Sequence, residues 1–195
     1  TIAQLLSHSS GLSGWKEPLQ REDLYDWSKC TDLLARQAPF WEPGTAPGYH
    51  ALTQGYLVGE VIRRATGKTV GTVFLVPPPV AVGAQASSEL QSNMATNPGI
   101  DVGETAKRAW RGAEIPAAGG TGNARSVAEI HTILANGGVA KGKRFLSEAG
   151  CRRALECQVE GTDLVLGIPV RFGMGFGLPG GMVPLPNPNS CYWGG

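Results

Sequence analysis

Apolar positions recur at helical spacing through most of the chain and give way to strand-like runs near its end. The clearest helix is predicted from about His50 to Ala65, where apolar residues lie three or four positions apart. Arg63 and Arg64 fall in its last turn, where basic side chains favour the helix dipole, and Gly67 is typical of a helix C-cap. At the start of the chain, Thr1-Ile2-Ala3-Gln4 forms a capping box that predicts a short helix.

Capping residues predict three further helices. These run over Leu33–Gln37, Ser126–Asn136 and Glu148–Cys157. Thr31 or Asp32 would cap the first helix, and Ser126 with Glu129 forms a capping box for the second. Ser147 would cap the third.

The chain changes to a strand-like pattern from about residue 162. The predicted strands are Thr162–Val170, Arg171–Leu178 and a short edge strand, Cys191–Trp193. Helices followed by strands favour an α+β fold, with a helical lobe over roughly residues 1–157 against an antiparallel sheet formed by roughly residues 162–195. A chain of 195 residues is long enough for one such domain and too short to argue for two.

Composition is that of a globular protein with long loops. Hydrophobic residues make up 42% of the chain and charged residues 17%, which argues against disorder. The net charge of +1 gives no reason to expect nucleic acid or an anionic membrane surface as a partner. The most apolar stretch, Val70–Ala86, is interrupted by Pro77-Pro78-Pro79 and is too short to span a bilayer, so no membrane partner is expected.

The sequence contains no residue pattern that is typical of a metal or cofactor site. The histidines His8, His50 and His131 lack metal-ligand spacing, and Gly119–Gly122 lacks the lysine of a phosphate-binding P-loop, so no cofactor is predicted. There is also no G-x-S-x-G nucleophile elbow. The cysteines form no C-x-x-C pair, and as reduced thiols they favour a cytoplasmic protein. They are Cys30, Cys151, Cys157 and Cys191.

Three segments carry a more specific signal through their order. They are Leu5–Leu12 (LLSHSSGL), Gly48–Glu60 (GYHALTQGYLVGE) and Trp193-Gly194-Gly195, with Pro116–Gly120 and Asn123–Ser126 between them. Together they resemble the serine β-lactamase and penicillin-binding superfamily, and most closely the bacterial carboxylesterases that share the class C β-lactamase fold. The resemblance covers nearly the whole chain.

The resemblance implies a β-lactamase/transpeptidase-like fold and a serine hydrolase that forms an acyl-enzyme. In that family a serine at a helix start has a lysine three residues later, and a tyrosine of a second motif shares the acid–base work. Tyr49 matches this tyrosine and is the predicted catalytic residue, although a tyrosine before a helix is in general more often a packing residue. Trp193, Gly194 and Gly195 match the third motif, whose strand lines the substrate and the oxyanion hole.

Position 193 also bears on the substrate. β-Lactamases and penicillin-binding proteins usually have a lysine there, which attracts the carboxylate of the antibiotic. The indole of Trp193 offers apolar area and one N–H donor instead. A neutral small-molecule ester is therefore favoured over an anionic lactam, and slow lactam hydrolysis remains open.

The chain departs from the family pattern in its first motif. The nucleophilic serine is expected outside residues 1–195, so these residues alone are not expected to catalyse acyl transfer. The one S-x-x-K, Ser13-Gly14-Trp15-Lys16, follows a loop, where the lysine would not lie one helical turn from the serine. The fold is expected to be incomplete at both ends, and the short connection at Phe74-Leu75 suggests that segments distant in the full protein are joined there. The alternative function is a catalytically inactive binding module, or an incomplete fragment, of the same fold.

Overall fold

A computed structural model gives the fold of most of the chain, and its helices and small antiparallel sheets confirm the α+β class. It describes residues 1–69, 88–100, 102–120, 122, 124–181, 183–185 and 187–193. The helices of these residues are α1 (Ile2–Leu6), α2 (Trp27–Arg36), α3 (Thr53–Thr66), α4 (Glu89–Thr96), α5 (Arg108–Gly112), α6 (Ala124–Ala135) and α7 (Glu148–Ala154). Short 3₁₀ helices lie at Arg21–Tyr25 and Val102–Ala106. The strands are β1 (Val139–Ala140), β2 (Lys143–Arg144), β3 (Val159–Thr162) and β4 (Pro169–Phe172).

Three predicted helix ends are confirmed by their hydrogen bonds. The Gln4 backbone N–H donates to Thr1 Oγ1 at 3.3 Å, and the capping box is complete. Gly67 ends α3 in the left-handed region at φ 68°, which glycine adopts without a steric penalty. The Gly150 N–H donates to Ser147 Oγ at 3.0 Å at the start of α7.

The predicted start of α2 is wrong. The helix begins at Trp27, six residues before Leu33, because Asp26 caps it by accepting the Lys29 N–H at 3.0 Å. Cys30 and Leu34 are buried on one face of this longer helix. That apolar face extends further towards the N-terminus than the predicted 33–37 segment.

Three other helix boundaries differ from prediction. Helix α3 begins at Thr53 rather than near His50. Helix α6 already includes Ala124, so Ser126 lies inside it and does not cap it. Helix α7 ends at Ala154, where the Leu155 N–H turns back to the Arg152 carbonyl at 3.0 Å, rather than at Cys157.

The strand predictions need a larger correction. The predicted strand 162–170 is interrupted by a turn, and β3 pairs antiparallel with β4, from Val159 opposite Phe172 to Thr162 opposite Pro169. After β4 the chain folds back so that Gly177 bridges Phe172, which contradicts a single strand over 171–178. Tyr192 then bridges Gly177, so the predicted edge strand 191–193 is a single antiparallel bridge.

The main core lies between the N-terminal loop, α2 and α3. Trp15, Leu24, Cys30 and Tyr56 are fully buried there, and Trp110 joins them from α5. A smaller cluster of Val159, Val170 and Phe172 lies beneath the β3–β4 hairpin. The main core therefore fixes the start of α3. The segment that leads into α3 lies against the β3–β4 hairpin.

Some predictions fall outside the described residues. These are the apolar stretch Val70–Ala86 with its junction Phe74-Leu75, Thr121 of the glycine-rich segment 119–122, and Gly194 with Gly195. The division into a lobe 1–157 and a sheet 162–195 stays a prediction. Within the described residues, no helix has both the length and the apolar character needed to cross a bilayer. All four cysteines are free thiols, of which Cys30 and Cys151 are buried.

Candidate active site

Two of the predicted site residues, Tyr49 and Trp193, lie side by side. Their ring centroids are 6.2 Å apart. His8 contacts both, at 5.2 Å from the Tyr49 ring and 5.1 Å from the Trp193 ring, on which it stacks nearly parallel. Phe172 closes the group at 5.5 Å from His8. The structure thus brings the loop after α1, the approach to α3, the end of β4 and the end of the chain to one aromatic cluster.

Backbone hydrogen bonds hold the loop that carries His8. The Gly48 N–H donates to the His8 carbonyl at 2.9 Å, and the Gly44 N–H donates to the Ser9 carbonyl at 2.8 Å. Gly11 lies at φ 78°, and a Cβ there would stand 2.5 Å from the Trp41 carbonyl oxygen. Glycine is therefore required where this loop passes the 40–48 segment.

His50 joins the loop to the start of α3 through Nε2, and its Nδ1 bonds within its own segment. The Leu12 N–H donates to His50 Nε2 at 3.3 Å, so Nε2 is an acceptor, and the Ser10 hydroxyl donates to it at 2.7 Å. The proton of the neutral ring is then on Nδ1, which donates to the Gly48 carbonyl. Because every polar atom of this ring has a partner, His50 is a structural residue rather than a free base.

His8 is linked to the same network by its own Nδ1. The His50 backbone N–H donates to His8 Nδ1 at 3.1 Å, which places the proton of the neutral His8 ring on Nε2. Burial, with a smaller contribution from His50, lowers the pKa of His8 well below its usual value. Burial likewise lowers the pKa of His50 to about 4. Both rings are therefore neutral at neutral pH.

Acid should destabilise the fold through His50. In the unfolded chain this ring binds a proton near pH 6.5, but in the folded chain only near pH 4, so unfolding takes up a proton as the pH falls between these values. The stability contributed by the neutral buried ring is present above pH 6.5 and is lost between about pH 6.5 and 4, by roughly 3 kcal/mol in total. Urea unfolding at pH 7, 5.5 and 4.5 measures this loss.

Two single histidine substitutions provide the control for that experiment. His50→Gln should weaken the dependence of unfolding free energy on pH and leave the part contributed by His8, whereas His131→Gln, at an exposed position of α6, should leave the dependence as in the parent protein. Equal pH dependence in all three proteins would contradict the assignment.

Asp163 fixes the backbone of Tyr49 from the turn after β3. It is fully buried, and its Oδ1 accepts the Tyr49 N–H at 3.0 Å and the N–H groups of Val165 and Leu166 at 2.9 Å each. The Leu164 N–H donates to the Pro47 carbonyl at 2.9 Å. The segment before α3 is thus docked to the hairpin by two hydrogen bonds.

The phenol of Tyr49 is shielded, and its indole neighbour is more open. Burial, and secondly the charge of Asp163, raise the pKa of Tyr49, so its hydroxyl keeps its proton at neutral pH. The Trp193 ring is 39% exposed. A protonated phenol beside an accessible aromatic wall can donate a hydrogen bond or a proton to an oxygen of a ligand whose apolar part rests on that wall.

Ser13 and Lys16 do not form a nucleophile pair. They lie in irregular chain, with Ser13 buried and Lys16 exposed, and the Lys16 ammonium lies 5.4 Å from the centre of the Phe40 ring. The described residues also contain no group of three or more His, Cys, Asp or Glu side chains that could hold a metal.

The sequence interpretation did not single out His8 or Asp163 as residues of the site. His8 was visible only as part of LSHSSG, whose spacing fits no metal site. Asp163 stood in a run assigned to one strand, where an acid followed four residues later by Gly167 was the available turn signal.

Comparisons with known proteins bear on the family and the fold. A family model described as Beta-lactamase matches residues 1–195. The chain is 28% identical over 225 residues to Esterase/beta-lactamase LipL of Mycobacterium tuberculosis (strain ATCC 25618 / H37Rv), with 94% of this chain and 52% of that protein covered. The crystal structure of a family VIII carboxylesterase matches with TM-score 0.89 and 37% identity, over 100% of this chain and 59% of that one.

A second similar structure is a penicillin-binding protein homolog from Caulobacter crescentus, with TM-score 0.84 and 28% identity over 100% of this chain and 59% of that one. These matches confirm the predicted β-lactamase/transpeptidase-like fold. The chain spans between half and three-fifths of the length of these relatives.

Proposed function

The chain belongs to the beta-lactamase family, and from this premise we propose that it forms the part of a serine carboxylesterase that bears the catalytic tyrosine and lines the acyl pocket. The observation that carries the proposal is the cluster in which His8 contacts both Tyr49 and Trp193, at 5.2 and 5.1 Å. The names of two relatives, an esterase/beta-lactamase and a carboxylesterase, support the same reaction class.

The proposed reaction is acyl transfer in two steps. A serine hydroxyl outside residues 1–195 attacks the ester carbonyl and gives its proton to a base, and the tetrahedral intermediate expels the alcohol as the acyl-enzyme forms. Tyr49, whose hydroxyl is protonated, donates a proton to the departing alkoxide, and the proton that the base took from the serine then restores the phenol. Water then attacks the acyl-enzyme, the serine leaves with a proton, and the carboxylic acid is released.

The surroundings of Trp193 favour a neutral substrate over an anionic one. Its half-open indole stacks on a neutral His8 and packs at 5.8 Å from Phe172, so this wall offers apolar surface and no positive charge. An ester with an apolar acyl or alkoxy group gains from burial against such a wall, whereas a carboxylate would lose hydration without an ionic partner.

The test is a substrate comparison on the full-length protein. p-Nitrophenyl butyrate should be hydrolysed with a burst that marks an acyl-enzyme, a fluorophosphonate probe should label one serine, and nitrocefin should be cleaved at least about 10²-fold less efficiently, as expected for a buried carboxylate left unpaired. Failure of both ester hydrolysis and labelling would favour the non-catalytic binding module. Nitrocefin cleavage that matches ester cleavage would contradict the neutral-substrate assignment.

A further inference from the structure

A role in the turn after β3 does not by itself explain why the whole carboxylate of Asp163 is buried. Its Oδ1 accepts three backbone N–H groups, whereas Oδ2, also buried, has no hydrogen-bond partner among the described residues. It is also absent from the ion pairs of the described residues. A buried carboxylate oxygen without a partner costs free energy, and such groups in native structures tend to serve function.

The third hydrogen bond of Oδ1 distinguishes this aspartate from an ordinary turn residue. Two of the N–H groups, from Val165 and Leu166, belong to its own turn, but the third belongs to Tyr49, 114 residues away along the chain. The Leu164 N–H and the Pro47 carbonyl add a second bond two residues before Tyr49. The turn after β3 therefore fixes the backbone on which the phenol is mounted.

We propose that Asp163 is a positioning residue of this site, which holds Tyr49 through its backbone N–H and keeps a negative charge beside the phenol. This inference rests on the proposed function for its effect on turnover, but not for its effect on Tyr49. The charge disfavours the phenolate, in the same direction as burial. Within the part of the chain that the structure describes, the titratable ring in contact with Tyr49 is His8, which is neutral, and the charge that acts on the phenol is that of Asp163.

Asp163→Asn separates charge from geometry. The amide retains a carbonyl oxygen that accepts the Tyr49 N–H, but it removes the negative charge. Tyr49 should then titrate at lower pH than in the parent protein, followed by the ¹³Cζ signal of labelled tyrosine and assigned with Tyr49→Phe. The alkaline limb of the kcat profile should move to lower pH with it, while KM changes by less than about twofold, since substrate contacts are untouched.

Asp163→Ala removes the acceptor as well. With the backbone of Tyr49 released, kcat should fall on the order of 10²-fold, the scale of a 1 Å misplacement of a catalytic group. Glu104→Gln is the matched control, because it neutralises another buried carboxylate, one that pairs with Arg21 and Lys107 rather than with the site. It should leave the Tyr49 titration and the alkaline limb unchanged.

A measurement on the parent protein decides the matter if the variants fold poorly. A scalar coupling across the hydrogen bond between the Tyr49 amide nitrogen and the Asp163 carboxyl carbon should be detectable by NMR at neutral pH. Absence of that coupling, or an Asp163→Asn protein with the parent Tyr49 titration, overturns the proposal even if the esterase is active. A shifted Tyr49 titration in a protein that hydrolyses no ester would instead uphold the role of Asp163 and reject the proposed function.

Discussion

Tyr49→Phe is expected to lower kcat for p-nitrophenyl butyrate by about 10²–10⁴-fold, the usual contribution of a positioned proton donor or acceptor. The substitution deletes one oxygen, and the ring contacts with His8 and Trp193, at 5.2 and 6.2 Å, can remain. KM should therefore change little, because the aromatic wall that receives the substrate keeps its shape. Steady-state kinetics on the full-length protein measures both constants.

Tyr25→Phe is the matched control for this experiment. Tyr25 is a partly buried residue at the edge of the main core and lies outside the aromatic cluster of the site. Its loss of a hydroxyl should leave kcat and KM at parent values. If Tyr49→Phe also hydrolyses esters at the parent rate, Tyr49 is a packing residue at a helix start, and the proposed catalytic role is wrong.

Tyr56→Ala should destabilise the protein by about 3–5 kcal/mol, as expected when a large aromatic side chain is removed from a packed core. Tyr56 is fully buried on α3, with its ring centroid 5.5 Å from that of Trp15 and 5.2 Å from that of Trp27. Its hydroxyl donates to the Leu24 carbonyl at 2.7 Å. The substitution removes a buried contact between α3, α2 and the N-terminal loop, and urea unfolding measures the loss of stability.

Two companion variants show where this loss of stability comes from: the first isolates the hydroxyl of Tyr56, and the second is a control at a less buried tyrosine. Tyr56→Phe keeps the ring and loses one hydrogen bond, so it should cost about 1–2 kcal/mol. Tyr25→Ala, at a partly buried position, should cost less than Tyr56→Ala. A Tyr56→Ala protein as stable as the Tyr25→Ala protein would mean that α3 is not held by this contact.

The sequence predicted well where the signal is short-range. Caps at Thr1 and Ser147 and the C-cap at Gly67 depend on residues within a turn of one another, and they are confirmed. The boundaries of α2 and α6 were predicted wrongly because several polar residues there could act as caps, and packing of the apolar face selected among them.

Strands were harder to predict because their partners are not local. The run 162–170 has the composition of one strand, yet Asp163 turns the chain by accepting the N–H groups of Val165 and Leu166, and β3 pairs back onto β4. An apolar run does not reveal by itself whether it continues or turns. The turn at Asp163 is held in addition by the hydrogen bond from the Tyr49 N–H, which belongs to a distant part of the chain.

The sequence by itself determined the fold class, the helices with local caps and, through the order of its motifs, the family and the candidate residues Tyr49 and Trp193. Only the tertiary structure placed the neutral His8 between those two rings and Asp163 beneath the backbone of Tyr49. The physical reason is the separation along the sequence between the residues that interact. Caps and periodicity are set by neighbours in sequence, whereas ring contacts and buried carboxylates depend on segments that meet only when the core and the β3–β4 hairpin have formed.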